Sequence, residues 1–293
     1  MIVVSCSHGK HIGKLIARKL KCGNSNLFFN KFPDDEIYTR FDCRLGNMEV
    51  VLVQSFYKNV NDCIIEVILA AHTAKELGAK KIILAAPYFP YLRQDKRFHK
   101  GEAVSQKIIA ELVNNYFDEV LIMDPHLHRE TKLGHLFTIK SKKLTANSLI
   151  ADYIKKKIKN PVIIGPDEES YKWAKSVAEI IGAESRILEK KRYSSYHVEV
   201  RLNKKINLDS KDVVIVDDIV STGNTILETV KKLKKLGAEK IYCICVHGIF
   251  ADDSLEKLQK AGIKVISTNT IPSRVAKIDI SNVFADSLRS TIK

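Results

Sequence analysis

The sequence predicts an α/β fold made of two tandem domains, each a mostly parallel β-sheet flanked by helices. Short apolar runs rich in Val and Ile, typical of buried strands, alternate with amphipathic stretches of helical periodicity along the chain. Strands that alternate with helices favour parallel sheets covered by helices on both faces. A pattern that recurs in the second half of the chain indicates that the two domains share one topology.

The individual elements follow from these two patterns. Apolar runs of strand length predict strands over residues 2–5, 50–54, 81–86, 120–124, 162–165, 213–217, 240–246 and 264–267. The amphipathic stretches between them predict helices over residues 11–20, 60–77, 104–116, 145–157, 171–181, 222–236 and 254–261.

An internal repeat sets the domain boundary. Residues 49–89 contain a VVLV strand, a helix and an LGAKK turn into the next strand, and residues 212–250 repeat this order with VVIV and LGAEK. Since each copy has the pattern of a complete α/β unit, we predict an N-terminal domain over residues 1–144 and a C-terminal domain over residues 145–293.

Composition narrows the class of protein. Of the 293 residues, 45% are hydrophobic and 28% charged, as in a soluble globular chain. No apolar run has the length of a membrane span, and the apolar start is too short for a secretory signal, so we expect a cytoplasmic protein with no membrane partner. The six cysteines form no CxxC pair and are expected to be buried free thiols. A net charge of +14 favours anionic partners, but no nucleic-acid-binding motif accompanies it, so no nucleic-acid partner is expected.

The stretch VVIVDDIVSTGNT carries the clearest chemistry. A strand buried on both faces ends in Asp217 and Asp218, where the first repeat has Gln54 and Ser55. The turn that follows, Ser221-Thr222-Gly223-Asn224-Thr225, leads into a helix N-terminus, which attracts phosphate. Ligands of open parallel sheets bind at the carboxyl ends of the strands. Two carboxylates beside a phosphate-binding turn suit a sugar phosphate, and the acids assign this site to the C-terminal domain.

This stretch resembles the ribose 5-phosphate loop of the phosphoribosyltransferase superfamily. The motif alone leaves open a salvage transferase, a regulator and a synthase of 5-phosphoribosyl 1-diphosphate (PRPP). Neither a GxxxxGK[ST] nor a GxGxxG phosphate motif occurs in the chain.

PYFPYLRQDKRF, residues 87–98, resembles the PYxxYxRQDR signature of the ribose-phosphate pyrophosphokinases (PRPP synthases). The resemblance implies that Arg93 and Gln94 contact ATP, and Lys96 stands where that family usually has Arg.

FPDDEIYTR resembles the FxDGE loop of the same family, which reaches the ATP of a neighbouring subunit. The matching positions are Phe32, Asp34 and Glu36, and Asp35 replaces the usual Gly. A shared ATP site implies a homo-oligomer that is at least a dimer.

Three further stretches complete the resemblance. MDPHLHRE places His126 at the histidine that lies near Mg²⁺ and ATP in the family and leaves His128 as a surface residue, and the turn IIGPDEES makes Asp167 a candidate second contact of Mg²⁺. Glu169 and Ser170 stand where the family more often has Gly-Gly. RILEKKRYSSYHVEV resembles the family's mobile catalytic loop, whose Lys-x-Arg pair matches Lys190 and Arg192. The resemblance implies these roles: catalytic, Lys190 and Arg192; ATP-binding, Phe32, Asp34, Glu36, Arg93, Gln94, Lys96 and His126; ribose-5-phosphate-binding, Asp217, Asp218, Ser221, Thr222, Gly223, Asn224 and Thr225; metal-binding, His126 and Asp167.

The resemblance spans nearly the whole chain and implies a phosphoribosyltransferase-like fold in both domains. It also implies an enzyme with Mg²⁺ as cofactor that transfers the β,γ-diphosphoryl group of ATP to the C1 hydroxyl of ribose 5-phosphate, giving PRPP and AMP. The short form resembles archaeal members, because Ser221 stands where bacterial and eukaryotic relatives often have Asp. A salvage phosphoribosyltransferase and a non-catalytic regulatory subunit are the alternatives.

Overall fold

The structure, a computed structural model, describes residues 1–127, 132–168, 170–192, 198–202, 208 and 211–290; the side chains of residues 188–192 and 198–202 are outside the description. The chain forms two compact units, one of Met1–Thr145 with the C-terminal stretch from Ile280, and one of Ala146–Asp279. Within the described part of the chain, none of the helices combines the length and apolar character that a membrane crossing needs.

The elements of the first half, in chain order, are β1 Ile2–Ser5, α1 Lys10–Leu20, β2 Gly23–Lys31, β3 Ile37–Phe41, β4 Glu49–Val53, α2 Val60–Glu76, β5 Lys81–Ala86, α3 Ser105–Tyr116, β6 Glu119–Met123, a short 3₁₀ helix Leu133–His135, and β7 Lys140–Leu144. Those of the second half are α4 Asn147–Lys157, β8 Pro161–Gly165, α5 Tyr171–Ile181, β9 Glu184–Arg192, β10 Val198–Leu202, β11 Asp212–Val220, α6 Asn224–Lys235, β12 Lys240–Gly248, α7 Ser254–Lys260, β13 Lys264–Thr268, β14 Ala276–Ile278 and α8 Ser281–Arg289.

The two sheets share one topology, as the internal repeat predicts. The first has the order β3-β2-β1-β4-β5-β6-β7 and the second the order β10-β9-β8-β11-β12-β13-β14. In each sheet the first pair is an antiparallel hairpin and all later pairs are parallel. The predicted fold class of two mostly parallel α/β domains is therefore confirmed.

The central strands were predicted because they are apolar throughout. Every residue of β1 and β6 is buried, and in β4 and β5 only the first residue is partly exposed. Strands covered by helices on both faces need such continuous apolar runs. Val50, Leu52 and Leu84 belong to the core of the first unit, and Val213 and Ile215 to that of the second.

The β2–β3 hairpin and the edge strand β7 were not predicted, because they lack an apolar run. Along β2 only Leu27 is fully buried, and β7 has the largely polar sequence KSKKL. The strand predicted over residues 213–217 continues to Val220, since Ile219 and Val220 pair with His247 and Gly248 of β12. Asp217 and Asp218 thus lie within the last part of a strand.

The domain limits differ from the prediction at the C-terminus. The residues of α8 were expected in the second domain, with no helix predicted there, but they belong to the first unit, where α8 packs against α1. Lys142 Nζ donates to the carbonyl of Ser287 and to Oγ of Ser290, each at 3.0 Å, and the Arg289 guanidinium donates to the carbonyl of Lys19. The division between the units falls after Thr145, one residue beyond the expected position.

Candidate phosphoribosyl site

Two adjacent carboxylates lie at the carboxyl end of β11. Asp217 is 8% exposed and Asp218 is 3% exposed. The backbone N–H of Asp218 donates to Oδ1 of Asp217 at 2.9 Å, and the N–H of Ile219 donates to Oδ1 of Asp218 at 2.9 Å. These bonds fix both side chains at the edge of the sheet where ligands of parallel α/β folds bind.

Burial raises the pKa of Asp217 well above its ordinary value. The negative charges of Asp218 and Asp167 act in the same direction, and a hydrogen bond from Ser170 opposes them. A carboxylate that is poorly solvated gains most from added hydrogen-bond donors. The hydroxyl groups of a bound sugar would supply such donors.

Ser170 connects the end of β8 to the end of β11. Its Oγ lies 2.7 Å from Oδ1 of Asp167 and 2.8 Å from Oδ1 of Asp217, and its backbone N–H donates to Oδ1 of Asp167 at 2.8 Å. Because a hydroxyl carries one hydrogen, Ser170 donates to one of the two carboxylates at a time. The sequence shows Ser170 only as a departure from the Gly-Gly pair that is more common in the family, and this bridge was not predicted.

The predicted phosphate turn lies directly after β11. Gly223 has φ +73° and precedes the first residue of α6, and no side chain of the described residues caps this helix end with a hydrogen bond. Thr222 and Asn224 are exposed, whereas Ser221 and Thr225 are half-buried. The first turn of α6 carries no acidic residue. Unpaired N–H groups and the positive end of the helix dipole therefore favour an anion here.

Asp167 is the candidate Mg²⁺ ligand of this unit. It is half-buried at the end of β8. Among the described residues, no group of three or more His, Cys, Asp or Glu side chains is arranged to hold a metal ion. Mg²⁺ needs few protein ligands, because it binds through one or two carboxylates, several waters and substrate phosphates. The residues present fit an ion that arrives with its nucleotide.

In the first unit, the residues expected to contact ATP follow the carboxyl ends of β5 and β6. Arg93 and Lys96 are exposed, and Gln94 is half-buried. The carbonyl of Gln94 accepts a bond from the N–H of Gln106 at 3.4 Å, which ties this loop to the first turn of α3. His126 follows β6 and is half-buried. His128 and Glu169 lie outside the described residues.

Residues Phe32 to Glu36 form the tip of the β2–β3 hairpin. Phe32 is 51% exposed, and its ring contacts Tyr38 with 5.8 Å between ring centroids. Asp34 and Glu36 are exposed as well. Asp35 adopts φ +70°, so it takes the left-handed conformation that Gly adopts most easily. Asp is one of the residues that tolerate this region, so the replacement of the usual Gly keeps the turn.

Gln54 and Ser55 occupy, in the first unit, the positions of the two acids, and both are fully buried. The Gln54 side chain donates to Oε2 of Glu66 at 2.7 Å and accepts the N–H of His8 at 2.9 Å. Ser7 donates its N–H to Oε1 of Glu66 at 2.7 Å. In the first unit, the position equivalent to the candidate sugar site is therefore filled by a hydrogen-bonded polar cluster. Sequence reasoning missed Glu66, whose only signal is an acid within the apolar helical run CIIEVILAA.

Lys190 and Arg192 are part of β9. Their backbones pair in register with Val200 and Val198 of β10. Their side chains, and the polar segment of residues 193–197 expected to follow them, lie outside the described part of the structure.

Comparison with known proteins agrees with this organisation. Residues 1–116 match the family model of the N-terminal domain of ribose phosphate pyrophosphokinase, and residues 134–281 match that of the phosphoribosyl transferase domain. The ribose-phosphate pyrophosphokinase of Pyrococcus furiosus is 36% identical over 96% of this chain and 97% of the relative. That of Methanothermobacter thermautotrophicus is 36% identical over 98% of this chain and 100% of the relative.

A solved structure shows the same fold. The crystal structure of phosphoribosylpyrophosphate synthetase from Mycobacterium smegmatis matches with a TM-score of 0.87 at 23% identity, over 99% of this chain and 98% of that chain. The duplicated sheet and the acid pair beside a phosphate turn define a protein of the phosphoribosyltransferase type. The chain belongs to the ribose-phosphate pyrophosphokinase family, which confirms the resemblance seen in its motifs.

Proposed function

We propose that this protein is a ribose-phosphate diphosphokinase, which transfers the β,γ-diphosphoryl group of ATP to the C1 hydroxyl of ribose 5-phosphate and releases AMP. The observation that carries the proposal is the acid pair Asp217–Asp218 beside the uncapped start of α6. The two relatives described above are both ribose-phosphate pyrophosphokinases and match this chain over nearly their full length. Their similarity supports the same reaction.

The second unit binds ribose 5-phosphate in this proposal. Asp217 and Asp218 accept hydrogen bonds from the 2′ and 3′ hydroxyls, and the turn from Ser221 to Thr225 holds the 5-phosphate. The exposed N–H groups of a helix start suit the phosphate, and the buried acids suit the hydroxyls. Bidentate binding of the ribose fixes the direction of the C1 hydroxyl, and positioning of this kind supplies a large share of the rate in phosphoryl transfer.

The first unit binds ATP through Arg93, Gln94, Lys96 and His126. Exposed cations such as Arg93 and Lys96 are suited to phosphate oxygens, and the half-buried Gln94 amide is suited to a base edge. His126 and Asp167 are the residues that would help to hold Mg²⁺, which would supply positive charge to the phosphates of the nucleotide.

The hairpin tip completes the ATP site of a neighbouring copy in the proposal. Phe32 offers an exposed ring, and Asp34 and Glu36 offer exposed acceptors, on a tip that extends beyond the core of its own unit. A chain that completes a partner's site acts as at least a homodimer.

Lys190 and Arg192 neutralise the diphosphoryl group during its transfer. Attack of the C1 oxygen on the β-phosphorus forms one P–O bond and breaks the bond between the α–β bridging oxygen and the β-phosphorus. The electron pair of the broken bond leaves with AMP, and the C1 hydroxyl loses its proton. Cations that meet the moving charge stabilise the transition state more than the bound substrates.

The test is an incubation with ATP, ribose 5-phosphate and Mg²⁺, with AMP and PRPP measured together. The proposal requires the two products in equal amounts and no reaction after chelation of the metal. A salvage transferase would form no AMP under these conditions and would instead consume PRPP and a free base. A regulatory subunit would form neither product.

A further inference from the structure

Ser254, the first residue of α7, contacts the predicted phosphate turn, which runs from Ser221 to Thr225. Its hydroxyl donates to the backbone carbonyl of Ser221 at 2.7 Å. Ser254 is fully buried, and the two residues are 33 positions apart in the chain. Ser221 is half-buried, so its carbonyl is partly shielded from water and gains from such a donor.

Helix α7 also packs closely against Gly223 of this turn. A Cβ atom at Gly223 would lie 3.3 Å from Cδ1 of Leu258 and 3.4 Å from Cβ of Ser254. The turn is thus held against α7 at two points, by a hydrogen bond at Ser221 and by close packing at Gly223.

The connection from β12 to α7 adopts an unfavourable backbone. Phe250, Asp252 and Asp253 have φ values of +49°, +53° and +55°. The left-handed region is unfavourable for residues other than Gly, and of these three residues Phe250 tolerates it least. The N–H groups of Ile249 and Phe250 both donate to the carbonyl of Val220, at 3.0 and 3.1 Å. The segment between β12 and α7 is therefore bonded to the end of β11, and it places Ser254 against the turn.

The Ser221 carbonyl determines the direction of the next donor. A trans peptide is planar, and its C=O and N–H point in opposite directions. Because the Ser221 carbonyl points at Ser254, the N–H of Thr222 points away from α7. Thr222 and Asn224 are exposed, so the turn itself is accessible to a ligand.

We propose that Ser254 is a positioning residue for the phosphate of ribose 5-phosphate. By holding the Ser221–Thr222 peptide in one orientation, it keeps the Thr222 N–H directed at the phosphate before the substrate arrives. The inference rests on the proposed function of the turn. It assigns to α7, which carries none of the motif residues, a share in ribose 5-phosphate affinity.

Ser254→Ala tests the proposal, with Ser267→Ala as its matched control. Ser267 is equally buried in the same unit, and its hydroxyl has no hydrogen-bond partner among the described residues. We expect Ser254→Ala to raise KM for ribose 5-phosphate, and its Kd in calorimetry without ATP, about tenfold. The KM for ATP should stay within about twofold, as should kcat, since the bond to Ser254 does not change during the transfer. Ser267→Ala should change none of these values.

Ser254→Cys gives a second measurement if the Ala variant folds poorly. A thiol is a weak donor of similar size, so its effect on the Kd of ribose 5-phosphate should lie between those of Ser and Ala. An unchanged Kd for ribose 5-phosphate in both folded variants, or an equal rise in both KM values, would overturn the role of Ser254 while leaving the function of the enzyme intact. Absence of ribose 5-phosphate binding by the unmodified protein would overturn the proposed function together with this inference.

Discussion

Gln54 donates a hydrogen bond to Glu66 at 2.7 Å, at the position of the first sheet where the second sheet has Asp217. The two positions are equivalent in the repeat, but their polar side chains have different environments. The Gln54 amide is satisfied inside the unit by Glu66, Ser7 and His8. Asp217 has a raised pKa and stands beside a helix start without a cap. One copy of the fold is therefore closed by its own side chains, and the other is open to a ligand.

Gln54→Glu should destabilise the first unit strongly. The substitution keeps the size of the side chain but places a second carboxylate against Glu66, whose pKa is already raised by burial. We expect the free energy of unfolding to fall by about 3 kcal/mol, measured by urea denaturation. The exchange Gln54→Glu/Glu66→Gln should recover part of this loss, because it restores one amide and one carboxylate. An exchange variant no more stable than the single variant would contradict this account of the cluster.

Asp217→Asn should raise the free energy of unfolding at about pH 8 and should remove ribose 5-phosphate binding. Because burial raises the pKa of Asp217, its contribution to stability is complete below the unfolded pKa of about 3.9 and is lost as the pH rises through the folded pKa. The neutral Asn avoids that loss, and its Oδ1 still accepts from Ser170 and from the N–H of Asp218. The variant should therefore be more stable than the unmodified protein at about pH 8, by an amount of order 1 kcal/mol, with a smaller difference near pH 5.

The same variant should lose ribose 5-phosphate binding in calorimetry, whereas the unmodified protein should bind one molecule per chain. Asp212→Asn, at the other end of β11, is the control and should leave binding unchanged. If the difference in the free energy of unfolding between Asp217→Asn and the unmodified protein did not change with pH, burial of the Asp217 charge would not affect folding stability.

The continuous motifs were predictable because their residues are neighbours in the chain. The acids, the turn at Gly223 and the repeat all lie in short segments whose patterns are local. The supporting contacts join distant residues: Ser170 reaches Asp217 over 47 positions, and Ser7 reaches Glu66 over 59. No sequence period reports such contacts, since they arise only when the fold brings distant segments together, the ends of β8 and β11 in one case and the end of β1 and helix α2 in the other.

The β2–β3 hairpin was not predicted for a different reason. A strand buried on both faces requires an apolar run, and a strand that faces solvent does not. In β3 no residue is fully buried, so its sequence IYTRF carries little sign of the sheet that it joins. The C-terminal helix was missed because its packing partner, α1, begins at Lys10, far away in the chain.

Gly223→Ala should weaken binding of ribose 5-phosphate. The positive φ of +73° strains any L-residue, and the added methyl group would press on Leu258 and Ser254. We expect KM for ribose 5-phosphate to rise about tenfold or more, in step with a strain of about 1–2 kcal/mol. Gly182→Ala is the control, because Gly182 has φ +69° and no atom within 4 Å of an added Cβ. Equal KM values for the two variants would mean that the turn tolerates the change.

Lys190→Ala should lower kcat by about two orders of magnitude or more with a modest change in KM. The reason is that a cation that meets charge in transfer acts mainly in the transition state. Lys191→Ala is the neighbouring control, and we expect its kcat to stay close to that of the unmodified protein. Initial rates of AMP formation at saturating substrate measure both. An unchanged kcat for Lys190→Ala would remove this residue from the mechanism.

Helix α8 determines how the protein can be divided for experiments. Since it covers α1 and is tied to Lys142, a fragment that stops at Thr145 would leave an apolar helix face uncovered and should aggregate. The second unit is instead an insertion within the first, with its two ends at Ala146 and Asp279. A soluble first unit should be obtained by joining Thr145 to Ile280 through a short Gly/Ser linker, which retains the C-terminal helix and deletes the candidate phosphoribosyl site in one step.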